Sequence, residues 1–155
     1  MIIPNRILIV DDHALFRGAV RDFLSQEPDF HIVGEAGNLR DAILAVGVTS
    51  PHLVLTDLSM PDTRGIEAVT EIKRRYPEVK ILVISLHRDT EMAHLCRKAG
   101  AAGYINKQVI FEELRDGIRI VMGGMRYLGR AALDEAACKS GSAADSEYRR
   151  NCRLS

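Results

Sequence analysis

Neither sign of charge is in excess in this 155-residue chain: Lys plus Arg and Asp plus Glu each number 21. A chain that itself binds nucleic acid through charge carries a basic surplus, so that class is set aside. No apolar run reaches the ~18 residues that read as a membrane span. The start, Met1-Ile2-Ile3-Pro4-Asn5-Arg6, lacks the basic region, apolar core and cleavage site of a signal peptide. Cysteine is scarce. Cys96, Cys138 and Cys152 are odd in number and far apart, with no CxxC and no Cys/His cluster. This disfavours a disulfide framework or a zinc site and leaves a reduced cytoplasmic setting as the default. Neither a GxGxxG nor a P-loop pattern occurs, which disfavours nucleotide-binding enzymes. No internal repeat is visible.

What remains is an ordinary globular composition, 46% hydrophobic and 27% charged, in one domain's length of chain. Three compact apolar runs stand out: Ile7-Leu8-Ile9-Val10, Leu53-Val54-Leu55 and Ile81-Leu82-Val83-Ile84. They are rich in β-branched residues and do not alternate with polar ones, the pattern of strands buried on both faces of a parallel sheet. His31 to Ala36 and Ala102 to Asn106 are weaker strand candidates. Helical periodicity fills the gaps, with stripes at Leu15, Ala19, Phe23 and Leu24, at Ile66, Val69, Ile72 and Tyr76, and at Leu114, Ile118, Val121 and Met125. Asn38 is placed to cap a helix that stops before Pro51, and Asp89 one that stops at Gly100. The result is β-α repeated five times, hence a doubly wound α/β domain with helices on both sheet faces. We assign it to residues 1–125. Residues 126–155 lose the pattern and turn to Ser, Gly, Ala and charges after Lys139, which reads as a linker or tail.

In such a sheet, ligands bind beyond the carboxyl ends of the strands, so the strand-end residues matter most. The first strand ends in Asp11-Asp12, the third in Asp57 and the fourth in Ser85, and Lys107 follows the fifth. One aspartate at a strand end is ordinarily a turn former, and one lysine there ordinarily faces solvent. Together they put three carboxylates, a hydroxyl and an ammonium on one edge. Carboxylates at close range repel unless a cation neutralises them. Hard oxygen donors of this kind suit magnesium, which keeps waters for an incoming phosphate. A lysine opposite suits a phosphoryl oxygen. The set describes a site for a phosphoryl group on a carboxylate.

From about Arg6 to Gly124 the chain resembles the receiver domain of two-component response regulators. The resemblance rests on Ile7-Leu8-Ile9-Val10-Asp11-Asp12-His13, on Asp57-Leu58-Ser59-Met60-Pro61 with Gly65 beyond it, on Ser85, and on Gly103-Tyr104-Ile105-Asn106-Lys107. The Asp-Asp-His opening, the Met-Pro loop and the Gly-Tyr-Ile-Asn-Lys ending resemble the NarL/FixJ (LuxR-type) branch. The resemblance implies a flavodoxin-like (βα)5 sheet of strand order 2-1-3-4-5. It implies that Asp57 is the phosphoacceptor and that Mg2+ is held by Asp11, Asp12, Asp57 and the backbone carbonyl of Ser59. Lys107 then contacts the phosphoryl group, Ser85 is the switch hydroxyl and Tyr104 the aromatic that moves with it. The implied partners are a sensor histidine kinase and DNA, the latter through a C-terminal helix-turn-helix domain absent from this sequence. Members often dimerise on phosphorylation, which adds a homodimer to the expected partners. The closing Leu154-Ser155 pair matches the opening of that output domain, whereas Arg149, Arg150 and Arg153 read as a solvated charge run.

The sequence departs from the family pattern at Gln108, where many members have a proline after a cis bond. A cis bond before a non-proline costs ~3 kcal/mol, so trans is expected. His87, two past Ser85, reads as a loop residue. Two other readings stay open: a stand-alone receiver acting by protein contact, and a magnesium-dependent phosphohydrolase. The second wants an aspartate two past the nucleophile, where this chain has Ser59.

Overall fold

The computed structural model describes residues 3–86 and 90–129. The expected helix cap at Asp89, the loop residue His87 and the segment from 130 onward lie outside the described residues. The chain runs β1 (Asn5–Val10), α1 (Ala14–Leu24), β2 (Phe30–Ala36), α2 (Leu39–Thr49), β3 (Leu53–Asp57), α3 (Glu67–Arg75), β4 (Lys80–Ser85), α4 (Thr90–Ala99), β5 (Gly103–Asn106), α5 (Ile110–Met122) and β6 (Tyr127–Leu128). A single 3-10 turn, Lys107–Val109, joins β5 to α5. The strands form one parallel sheet in the order β2-β1-β3-β4-β5-β6. This is the implied 2-1-3-4-5 order with a sixth short strand added.

The three apolar runs are the central strands β1, β3 and β4, and their aliphatic side chains are fully buried. Covered on both faces, each contributes about 1.5–3 kcal/mol by leaving water. At the sheet edge, β2 is only half-buried between Phe30 and Ala36, which is why its sequence mixes polar residues into what is a continuous apolar run in the central strands. A register shift between Ile7 and Leu8 also skips one residue of β2.

The helix ends follow local chemistry. The Asn38 side chain accepts from the Asp41 N–H, as a cap should. Ser50 closes α2 in the left-handed region, and Gly100, at φ 114°, follows α4. No cis peptide occurs among the described residues, so the Lys107–Gln108 bond is trans as expected.

Two of the expected stripes need correction. In α1, Leu15 is 92% exposed and Ala19 is exposed; the inward face is Phe16, Val20, Phe23 and Leu24. Both sets have helical spacing. The strand-to-helix turn after Asp12 decides between them, because it sets Phe16 over Lys107, with the ammonium 4.5 Å from the ring centroid. In α5, Leu114, Ile118 and Val121 are buried as expected, but Met125 lies beyond the helix and is half-exposed. Gly123 and Gly124 end α5 first, Gly124 with φ at 94°, a conformation that favours glycine.

Candidate functional site

The parallel register brings the carboxyl ends of β1 and β3 side by side, with Val10 paired to Thr56. The next residue of each strand, Asp11 and Asp57, therefore share one edge. Asp11 is fully buried and Asp57 nearly so. Lys107, one residue past β5, reaches over from the other side of β4. Its Nζ lies 2.6 Å from Asp11 Oδ2 and 2.9 Å from Asp57 Oδ2. Burial works against the ammonium's charge, but its contacts with Asp11 and Asp57 outweigh this and hold the Lys107 pKa above the usual lysine value.

The other Asp57 oxygen, Oδ1, accepts from the backbone N–H of Leu58 at 2.7 Å and of Ser59 at 3.2 Å. These bonds fix the carboxylate from below while its outer side faces the site. Asp11 is fixed in the same way: Oδ1 accepts from the His13 N–H at 2.8 Å, and Arg17 donates to its backbone carbonyl. Arg17 also donates to Glu35 at 3.1 Å. Asp12 is the outward member of the group, its side chain 31% exposed.

Asp11, Asp12, His13 and Asp57 each bring a ligand atom within 4.8 Å of the others. This is an acidic pocket compatible with a divalent metal. Asp11 Oδ2 is buried and meets the Lys107 ammonium at 2.6 Å, which uses one of its lone pairs and leaves another. A buried oxygen with coordination capacity to spare fits a hard cation's donor set.

Ser59 lies on the β3–α3 loop, which lines an open cleft with Asp12, Met60, Pro61, Thr63 and Gly65. Ser85 ends β4 on the same edge, buried, in register with Asn106. Tyr104 is buried in β5, paired with Val83. The geometry thus joins Asp11, Asp12, Asp57 and Lys107 directly and sets Ser59, Ser85 and Tyr104 on the flanking loop and strands.

Sequence reasoning missed three contributors. His13 has its Nδ1 3.1 Å from Asp12 Oδ1 and 3.3 Å from Asp11 Oδ1. It stood next to the aspartates in the opening motif, so adjacency was the available signal. Phe16 was hidden by the misplaced α1 stripe. Asp62 accepts from the backbone N–H groups of Leu39 at 2.8 Å and Arg40 at 3.0 Å, tying the β3–α3 loop to the start of α2. No sequence pattern marks a cap supplied from 22 residues away.

Residues 7–119 match the response regulator receiver domain family. The chain belongs to that family. Among curated receiver-containing proteins it is 36% identical over 123 residues to the transcriptional regulatory protein DegU of Brevibacillus brevis, covering 79% of this chain and 52% of that one. It is 36% identical over 131 residues to the response regulator UvrY of Escherichia coli K12, covering 84% and 60%. The chain therefore spans about half to three-fifths of these relatives. A crystal structure of a LuxR-family two-component response regulator from Aurantimonas superposes with a TM-score of 0.84 at 30% identity, covering 88% of this chain and 97% of that one. These relatives agree with the NarL/FixJ branch as well as with the fold. No helix among the described residues is long and apolar enough to cross a membrane.

Proposed function

We propose that this receiver accepts a phosphoryl group on Asp57 from a phosphohistidine of a sensor histidine kinase, and that the resulting change controls a transcriptional output domain. The observation that carries this reading is the Lys107 ammonium set between two buried aspartates, one of them fixed by two backbone N–H groups. A buried carboxylate so oriented is poised to attack in line. The P–O bond to Asp57 forms as the donor's P–N bond breaks, and the imidazole leaves with the electron pair. Lys107, pried from its carboxylate partners, is placed to meet the phosphoryl oxygens. Asp11, Asp12, Asp57 and the carbonyl of Ser59 would hold Mg2+, which when bound supplies charge neutralisation for the phosphoryl oxygens.

Phosphorylation replaces the single negative charge of the Asp57 carboxylate with roughly −1.5 to −2 on the acyl phosphate, by analogy with other phosphorylated side chains, a net gain of about one charge at most. Ser85 then gains by turning toward the new oxygens, and the packing of Tyr104 on the α4–β5 face adjusts. A gap of a few kcal/mol between two such packings suffices for a switch. The protein modifies itself and is not a turnover enzyme. DegU, 36% identical and named a transcriptional regulatory protein, supports DNA as the eventual target, reached through a C-terminal domain. This setting is cytoplasmic, and a phosphorylation-dependent homodimer fits it.

Labelling with acetyl phosphate and Mg2+, read by intact mass, tests the assignment. Wild type should gain one phosphoryl group and Asp57→Asn none. Full labelling of the Asn variant sinks the acceptor assignment.

A further inference from the structure

The short strand β6 is too small to stand on pairing alone, and the structure builds a socket for it. It runs parallel to β5 with Gly103 opposite Tyr127 and Tyr104 opposite Leu128. The Tyr127 N–H donates to the Ala102 carbonyl at 2.9 Å, and the Gly129 N–H donates to the Tyr104 carbonyl at 2.7 Å. The Tyr127 ring is buried, and its hydroxyl donates to Oε1 of Glu113 at 2.7 Å, a carboxylate that is itself buried on α5. Two glycines make the room. A Cβ on Gly117 of α5 would lie 3.2 Å from the Tyr127 ring, and one on Gly103 of β5 would lie 2.8 Å from the Tyr127 carbonyl. Tyr127 is thus gripped by β5 through its backbone and by α5 through its ring and hydroxyl.

Those two elements meet at Lys107, which opens the 3-10 turn between them. A side chain that pins β5 to α5 therefore stiffens the corner that aims the ammonium at Asp11 and Asp57. We infer that β6 is a brace on this corner: Tyr127 and Glu113 are positioning residues for Lys107, and the docking of β6 is linked to occupation of the phosphoryl site. This rests on the receiver reading above. An occupant that engages Lys107 fixes the end of β5, and an ordered β5 is a better template for β6. Linkage then requires that β6, when docked, strengthens the hold on that occupant by the same factor.

The test uses the purified 155-residue chain with Mg2+ and beryllium fluoride as the phosphoryl mimic. Amide exchange at Tyr127 and Gly129 is followed by NMR, and affinity is measured by calorimetry. Beryllium fluoride should slow exchange at both amides about fivefold or more, within the usual range of coupling. Tyr127→Ala should weaken beryllium fluoride binding by a matching factor, and Glu113→Ala likewise. Glu113→Gln, which still offers an oxygen to the hydroxyl, should bind nearly as wild type. A merely structural role would lower the melting temperature of these variants and leave both readouts unmoved. Beryllium fluoride that binds wild type without altering exchange at these amides overturns the brace. Failure of wild type to bind it at all overturns the phosphoacceptor reading, and the brace with it. Should Tyr127→Ala not fold, the exchange experiment on the unaltered chain and the milder Tyr127→Phe decide.

Discussion

Replacing Lys107 with methionine removes one charge and little volume, so the stem still packs beside Phe16. In wild type the ammonium, 8% exposed, sits within 3 Å of two carboxylate oxygens whose side chains are 0% and 6% exposed. Removing one partner of a buried ion pair costs about 3–5 kcal/mol, because the remaining charge is stranded. The Asp12 side opens to solvent, so the lower end, ~3 kcal/mol, is expected. With a urea slope of ~1.5 kcal/mol per molar, the unfolding midpoint in EDTA at pH 7 should fall by about 2 M. The same logic fixes a further feature. Mg2+ should rescue the variant more than wild type, because Lys107 no longer competes for the same oxygens, and a hundredfold excess over Kd is worth ~2.7 kcal/mol. Alkali acts on the gap through Lys107 itself. A lysine pKa raised by folding contributes stability that is complete below the unfolded value of ~10.4 and is lost only as pH rises through the higher folded value. The gap between wild type and variant should therefore stay flat from pH 7 to 10. An unchanged midpoint at pH 7, or a gap that closes by pH 9, would refute the charge argument.

Cys96 is fully buried in α4, and burial pushes its thiol pKa up to about 12. With Cys138 and Cys152 replaced by serine, the folded protein at pH 8 should resist iodoacetamide and react at the ordinary rate only in denaturant; rapid labelling of the native form would show that α4 opens readily. Asp62→Ala removes the acceptor for the first two N–H groups of α2 and should cost ~1 kcal/mol in urea unfolding at pH 7. Bonds from the Leu39 and then the Arg40 backbone outweigh the smaller opposing effect of burial and hold the Asp62 pKa below the usual carboxylate value. Its contribution is thus present above ~3.9 and lost as pH falls through the lower folded value, so a cost that persists undiminished at pH 2 would contradict the cap.

The fold was legible because the central strands are covered on both faces, and nothing but continuous apolar runs can sit there. Strand-end carboxylates were legible for a related reason: a buried run that stops at Asp must stop at the sheet edge. Helix faces were harder to read. In α1 the pairs Leu15/Ala19 and Phe16/Val20 have equal spacing, and only the turn that delivers the helix from Asp12 chooses between them. At Tyr127 the sequence offers two apolar residues after a double glycine, far short of a strand signal. What holds them is tertiary, a hydroxyl on Glu113 and room beside Gly103 and Gly117. Asp62 was invisible as a functional group because its partners come from folded proximity, not from spacing along one element, whereas His13 was passed over although its partners Asp11 and Asp12 adjoin it in the sequence.

The strand order explains why four charged residues from distant parts of the chain form one site. β1 and β3 are neighbours although β2 separates them in sequence, so Asp11 and Asp57 meet where the order of strands turns back on itself. Helices leaving such neighbours go to opposite faces, and the edge between them stays open to a ligand. Lys107 starts one strand further out, beyond β4, and must cross that strand's end to reach Asp57. The residue at that end is Ser85, in register with Asn106 just before the lysine. A small side chain there lets the ammonium through. Ser85→Thr should therefore preserve phosphorylation, whereas Ser85→Leu should push the ammonium off Asp57 and slow acetyl phosphate labelling at least tenfold. Equal labelling of the two variants would show that Lys107 reaches Asp57 by a route that does not pass the end of β4.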